Sequence, residues 1–208
     1  MCIRDRFKSL LFLGAGAFER AIGSLELDRI GGLLRQMPWT GFAFLLGAAA
    51  IAGLPPLNGF ASEWLTLQSL VHLAIEPPLG LGLAGAAAAA GLAATAALAL
   101  YCFVKVVGLV LLGPARRPEI LAASEPPPSM RAAITGLAAL CLLLGVVPGL
   151  IVPTLAELAP QPVELPAAAG LEIPGTGSLP SPWLALGLLA LAGLLWGCLL
   201  YTSDAADE

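Results

Sequence analysis

An acid stands where an apolar chain should carry none. Glu63 closes the stretch Gly53-Leu-Pro-Pro-Leu-Asn-Gly-Phe-Ala-Ser-Glu-Trp64, which interrupts an apolar run from Thr40 to Leu73. Burial in a low dielectric favours the neutral acid, while a helix N-terminus just before it favours the carboxylate. Opposed terms of similar size bring both protonation forms within reach, which is what a proton-relay residue requires. The alternative is a side chain that serves only as a hydrogen-bond partner for the interrupted backbone. Lys8 is the second candidate, ten residues before the end of its run at Phe18, or ~15 Å by helical rise. A lysine at that depth faces a partner or a cavity. Lys105 lies eight residues before Gly113, about 12 Å deep, where relay and snorkelling to the interface stand equal. His72, at the outer end of its run, reads as an interfacial side chain. Ser62, Thr66 and Gln68 either hold water beside Glu63 or satisfy backbone groups.

The elements that position these groups follow from the prolines. Pro55 and Pro56 lack amide hydrogens, so inside a helix they leave the carbonyls of Ile51 and Ala52 without donors. In lipid each such group costs several kcal/mol. The pattern predicts a helix over Thr40–Gly53, a break over Leu54–Asn58 and a second helix over Gly59–Leu73. Asn58 is suited to cap the second helix, and Gly53 and Gly59 permit the sharp geometry. Glu63 then lies ten residues from Leu73, ~15 Å from the outer end. A charge there costs at least ~2.5–3.5 kcal/mol on insertion scales.

Of 208 residues, 58% are hydrophobic and 12% charged. That excludes disorder and argues against a soluble domain, which needs more polar surface. Apolar runs recur at Leu10–Phe18, Phe42–Leu73, Leu79–Gly113, Ala132–Leu155 and Trp183–Leu200. A spanning helix needs roughly 20 apolar residues; the first run falls short and reads as truncated. The expected fold is all-α, a polytopic transmembrane bundle of about five segments with one discontinuous helix. The connections alternate in charge. Arg20, Arg29 and Arg35 lie between Glu19 and Pro38, and Arg116, Arg117 and Arg131 in Pro114–Arg131, whereas Glu76-Pro77-Pro78 and Glu157–Pro182 carry no Lys or Arg. Basic short loops stay cytoplasmic, so the first and third connections are expected inside. This works only if Thr40–Leu73 crosses once. As one straight helix its 34 residues would reach about 51 Å, which the break accommodates. Leu79–Gly113 is also overlong, and its Gly- and Ala-rich start is expected to be irregular or tilted. Small residues such as Gly47 and Gly85–Gly91 read as close helix packing, and Trp39 and Trp183 as interfacial aromatics.

Other chemistry lacks support. The net charge of −4 names no partner, and no basic, aromatic-interleaved cluster points to nucleic acid. The four cysteines show no metal-ligand spacing, and no cofactor or catalytic constellation is visible. Residues 1–6 and 198–208 resemble translated sequencing-adapter DNA, so the natural content is expected over 7–197, as a piece of a longer protein.

Several segments together carry a resemblance: Phe7-Lys-Ser-Leu-Leu-Phe-Leu-Gly-Ala-Gly16, Gly31-Gly-Leu-Leu-Arg-Gln-Met-Pro38 and Ala48-Ala-Ala-Ile-Ala-Gly-Leu-Pro-Pro-Leu-Asn-Gly-Phe-Ala-Ser-Glu-Trp64. They resemble the antiporter-like, proton-conducting subunits of NADH–quinone oxidoreductase, Mrp-type antiporters and membrane-bound hydrogenases. With Tyr101-Cys-Phe-Val-Lys-Val-Val-Gly108 and Ser124-Glu-Pro-Pro-Pro-Ser-Met130, they look most like the branch of hydrogenase-4 component B and the formate hydrogenlyase membrane subunit. The resemblance covers nearly all of Phe7–Leu150. It implies two inverted repeats, each with a broken helix carrying an ionisable group, of which this chain holds the late part of the second. Lys8 matches the lysine of the family's Phe-Lys motif on the central polar axis, and Glu63 the broken-helix Lys or Glu. The histidines that usually precede the Phe-Lys motif and the first repeat's Lys and Glu have no counterpart here. The implied setting is a bacterial or archaeal plasma membrane, with other membrane subunits of a hydrogenase or NADH dehydrogenase complex as partners and no redox cofactor in this chain. A cation/proton antiporter without redox coupling and a passive scaffold subunit are the competing readings.

Overall fold

A computed structural model describes residues 4–24, 26–27, 30–55, 57–75, 78–146, 171–173, 177–179, 187 and 190. Helices make up the ordered elements from Arg4 to Val146: α1 (Arg4–Ile22), α2 (Leu33–Gln36), α3 (Pro38–Ile51), α4 (Asn58–Ile75), α5 (Leu79–Val107), α6 (Pro118–Leu121) and α7 (Pro128–Val146). A short antiparallel hairpin, β1 (Leu171–Ile173) with β2 (Gly177–Leu179), supplies the only strands among the described residues. Apart from Gly187 and Ala190, the Trp183–Leu200 run lies outside the described residues, as do Trp183 itself and the rest of the Glu157–Pro182 connection.

α1, α3 and α7 pack on one another and enclose the core. Phe7, Leu10, Phe18, Phe44, Ala48, Ile134 and Cys141 are buried there. The Phe18 and Phe44 rings meet with centroids 5.3 Å apart, tilted by 57°. Small residues set the distance. A Cβ on Gly14 would lie 2.8 Å from the Phe44 ring, and one on Gly47 would lie 3.1 Å from Leu11. Between helices in lipid such dispersion contacts, rather than expulsion of water, drive association.

α4 returns along α5, its most extensive partner. Gly85 is buried in that seam, where a Cβ would approach Ala74 N to 2.9 Å and Leu70 O to 3.1 Å. Gly91, farther along, has open space around it, so close packing uses only part of the small-residue run. α5 is regular from its Gly-rich start. Its irregularity lies at the other end, where the helix widens into a π-turn at Gly108–Leu112. Together these residues form a 34-residue apolar span, and α7 a second of 19. α1 is longer than the apolar run alone predicts, 19 residues beginning at Arg4.

The two arginine-bearing connections meet at one end of the bundle. Arg116 Nη1 donates to the Leu27 carbonyl at 3.2 Å. Gly31 and Gly32 lie so close to the Gly113–Ala115 backbone that a Cβ on Gly31 would collide with the Pro114 carbonyl.

Candidate functional site

The interruption after α3 is built from helix-end chemistry. Ala52 N–H donates to Ala48 O (3.1 Å), Gly53 N–H to Ala50 O (3.3 Å) and Leu54 N–H to Ala49 O (3.0 Å). This is a Schellman ending, with Gly53 as the left-handed residue at φ +67°. The helix thus stops before the prolines, and the carbonyls of Ala48, Ala49 and Ala50 find donors in the chain that follows. Pro55 lies in the turn and Pro56 outside the described residues. α4 opens at Asn58, whose side chain is fully buried. Gly59 lies directly against the Ala50 carbonyl, where a Cβ could not fit. The two helix ends therefore abut, within two residues of the predicted boundaries.

Glu63, half-buried one turn into α4, reaches back to this junction. A Cβ on Gly53 would collide with the Glu63 Oε2 atom, with Glu63 Cδ at 3.0 Å and Oε1 at 3.5 Å. The carboxyl therefore rests against the left-handed turn, between the C-terminal end of α3 and the N-terminal end of α4. Ser62 Oγ donates to Gly59 O (2.9 Å) and Thr66 Oγ1 to Ser62 O (2.8 Å). Both hydroxyls thus take the backbone-satisfying alternative. Trp64 stacks on Phe60 with centroids 5.8 Å apart. Its indole Nε1 is buried without a hydrogen-bond acceptor among the described residues.

Gly53, Pro55, Asn58, Gly59 and Glu63 are thus gathered at one junction. The lysines are not brought to it. Lys8 is exposed on α1, which packs chiefly on α3 and α7, and Lys105 is exposed near the end of α5. His72 is exposed in the C-terminal half of α4.

A second polar cluster lies at the start of α3. Glu125 Oε1 accepts from Trp39 N–H (2.7 Å) and Thr40 N–H (3.3 Å), and Oε2 accepts from the buried Thr40 hydroxyl (2.7 Å). Trp39 Nε1 donates to Thr135 Oγ1 (2.8 Å), and the Arg131 guanidinium sits over the Trp39 ring at 5.5 Å. An apolar groove of about 560 Å³ opens between α3 and α7 beside this cluster, lined by Trp39, Phe42, Leu46 and Ala138 among others. Sequence reasoning did not single out Glu125. Its signal was indirect: α3 begins Met37-Pro38 with no Ser, Thr, Asp or Asn to cap it, so its first amides needed a distant acceptor.

The model of the NADH:quinone oxidoreductase/Mrp antiporter transmembrane family matches residues 1–110. The chain belongs to this family. Among NADH:quinone oxidoreductase/Mrp antiporter proteins, it is 40% identical to hydrogenase-4 component B of Escherichia coli (strain K12) over 91% of its length. It is 37% identical to formate hydrogenlyase subunit 3 of the same organism over 88%. The chain spans 30% and 29% of those relatives, respectively. A chain in the structure of the Mrp complex from Dietzia sp. DQ12-45-1b shares the fold over 70% of this chain and 33% of its own length, with a TM-score of 0.53 at 22% identity.

Proposed function

We propose that the chain is part of a membrane subunit that translocates protons within a hydrogenase-type or NADH-dehydrogenase-type complex of a bacterial or archaeal plasma membrane, with Glu63 as a proton relay. The observation that carries this reading is the Glu63 carboxyl resting at the junction of two helix ends in a chain of this transmembrane family. A carboxyl there lies near the negative end of α3 and the positive end of α4. The neighbouring indole donor of Trp64 suits a site that holds water. α3 and α4 serve as the two halves of one crossing. At ~21 Å and ~27 Å, neither reaches across the ~30 Å hydrocarbon core alone. Lys8 and Lys105 are further stations, reached through water or through residues contributed by the rest of the subunit. Redox chemistry belongs to partner subunits, and residues 7–197 constitute the transporter part.

The test is proton flux in vesicles carrying the assembled complex. Glu63→Gln is expected to abolish flux with assembly retained, and unchanged flux removes the relay reading. The family spans redox-driven and antiporter systems alike, which keeps a second reading: a cation/proton antiporter subunit without redox coupling. Co-purification with iron–sulfur or nickel subunits separates the two. A passive scaffold predicts instead that Glu63→Leu stays functional.

A further inference from the structure

We propose that Gly53 is the positioning residue for Glu63: the Cβ it lacks is the seat in which the carboxyl rests. The inference rests on the relay reading for its functional consequence, but the seat itself is a matter of geometry. Gly53 meets two separate requirements. The Schellman ending needs a left-handed residue at this position, as φ +67° shows; asparagine meets that need nearly as well as glycine. The second requirement is space, and only glycine meets it. A Cβ here would collide with Glu63 Oε2, with the rest of the carboxyl within 3.5 Å.

Gly23 provides the contrast. It too is left-handed, at φ +76°, yet a Cβ there would meet nothing within 4 Å. Backbone conformation alone therefore does not explain what is particular about position 53. With the seat open, the carboxyl is held between the ends of α3 and α4. With the seat filled, the flexible end of Glu63 swings away while the helices stay in place. Misplacing a reacting group by ~1 Å can cost as much as 10²-fold in rate.

The experiment compares Gly53→Ala, Gly53→Asn, Gly23→Ala, Glu63→Asp and Glu63→Gln in the assembled complex in vesicles. Proton flux is read together with the infrared bands of the Glu63 carboxyl, assigned by their loss in Glu63→Gln. Gly53→Ala and Gly53→Asn are each expected to shift the bands and lower flux at least ~tenfold, with Gly23→Ala like the wild type. Asparagine relieves the left-handed strain but keeps the Cβ, so wild-type bands and flux in Gly53→Asn overturn the seat. Glu63→Asp leaves the Gly53 turn untouched and draws the acid back by one methylene. It tests the seat even where a Gly53 variant fails to assemble: a comparable loss of flux supports it, and wild-type flux overturns it. Wild-type flux in Glu63→Gln removes the relay reading, and the infrared bands of the Gly53 variants, measured against Glu63→Asp, then decide the seat alone.

Discussion

The Glu125 carboxylate accepts the Trp39 and Thr40 amides and the Thr40 hydroxyl, groups that no residue just before Pro38 can serve. Charge-assisted bonds of this kind contribute about 1.5–3 kcal/mol where water is scarce. Glu125→Ala should therefore lower the thermal stability of the purified subunit by about 1–2 kcal/mol, and Glu125→Gln, which retains an acceptor oxygen, by less. Equal stability of both variants and the wild type would show that water replaces the cap. Gly59→Ala is expected to be far more damaging, because the added methyl meets the Ala50 carbonyl, a backbone atom with little freedom to move; failure to assemble, read by yield and size-exclusion profile, is the expected outcome. Glu63 was legible in the sequence because a charge within an apolar run demands an explanation. Glu125 was not, because nothing local marks a carboxylate as the cap of a helix 86 residues away.

The ends of α3 and α5 are settled by different devices. α3 starts on a distant carboxylate and stops on a left-handed glycine; α5 starts after Pro78 and ends in a π-turn. The break was readable from Pro55, Pro56 and the flanking glycines, since both residue types restrict or release backbone angles directly. The π-turn was not, since Gly108-Leu-Val-Leu-Leu112 carries no proline or charge to flag an extra residue in the turn. The seam between α4 and α5 offers a paired test. Gly85→Leu must push Leu70 and Ala74 of α4 away, and overpacking of this order costs typically 1–3 kcal/mol. Gly91→Leu enters open space on the same helix and should leave the thermal midpoint of the purified subunit near that of the wild type. Similar losses in both would place the cost in the intrinsic helix propensities and not in the seam.

At the scale of the whole molecule, the charge asymmetry of the loops and the packing agree. The connections carrying Arg35 and Arg116 are tied together at one end, through Arg116 to Leu27 and Gly31 against Pro114. α5 leads away from that end, from the Gly113 side back to Leu79, where it follows α4. Single cysteines at Arg116 and Leu79, in a background lacking the native thiols, should therefore react with impermeant maleimide from opposite faces of the membrane, Arg116 from the cytoplasm; labelling from one face alone refutes the single crossing by α3 and α4. The meeting of the two arginine-bearing connections had a signal in the arginine placement, whereas the way these loops interlock depends on backbone-to-backbone approaches that composition does not encode. The bond from Trp39 to Glu125 also sets an order of events during synthesis. When α3 leaves the ribosome, the residue that will cap it has yet to be translated, and α4 and α5 must both be threaded through the insertion machinery first. Until then the first turn of α3 lacks the acceptor that holds it in the folded chain. Emergence of Glu125 is the moment at which this half of the bundle can lock.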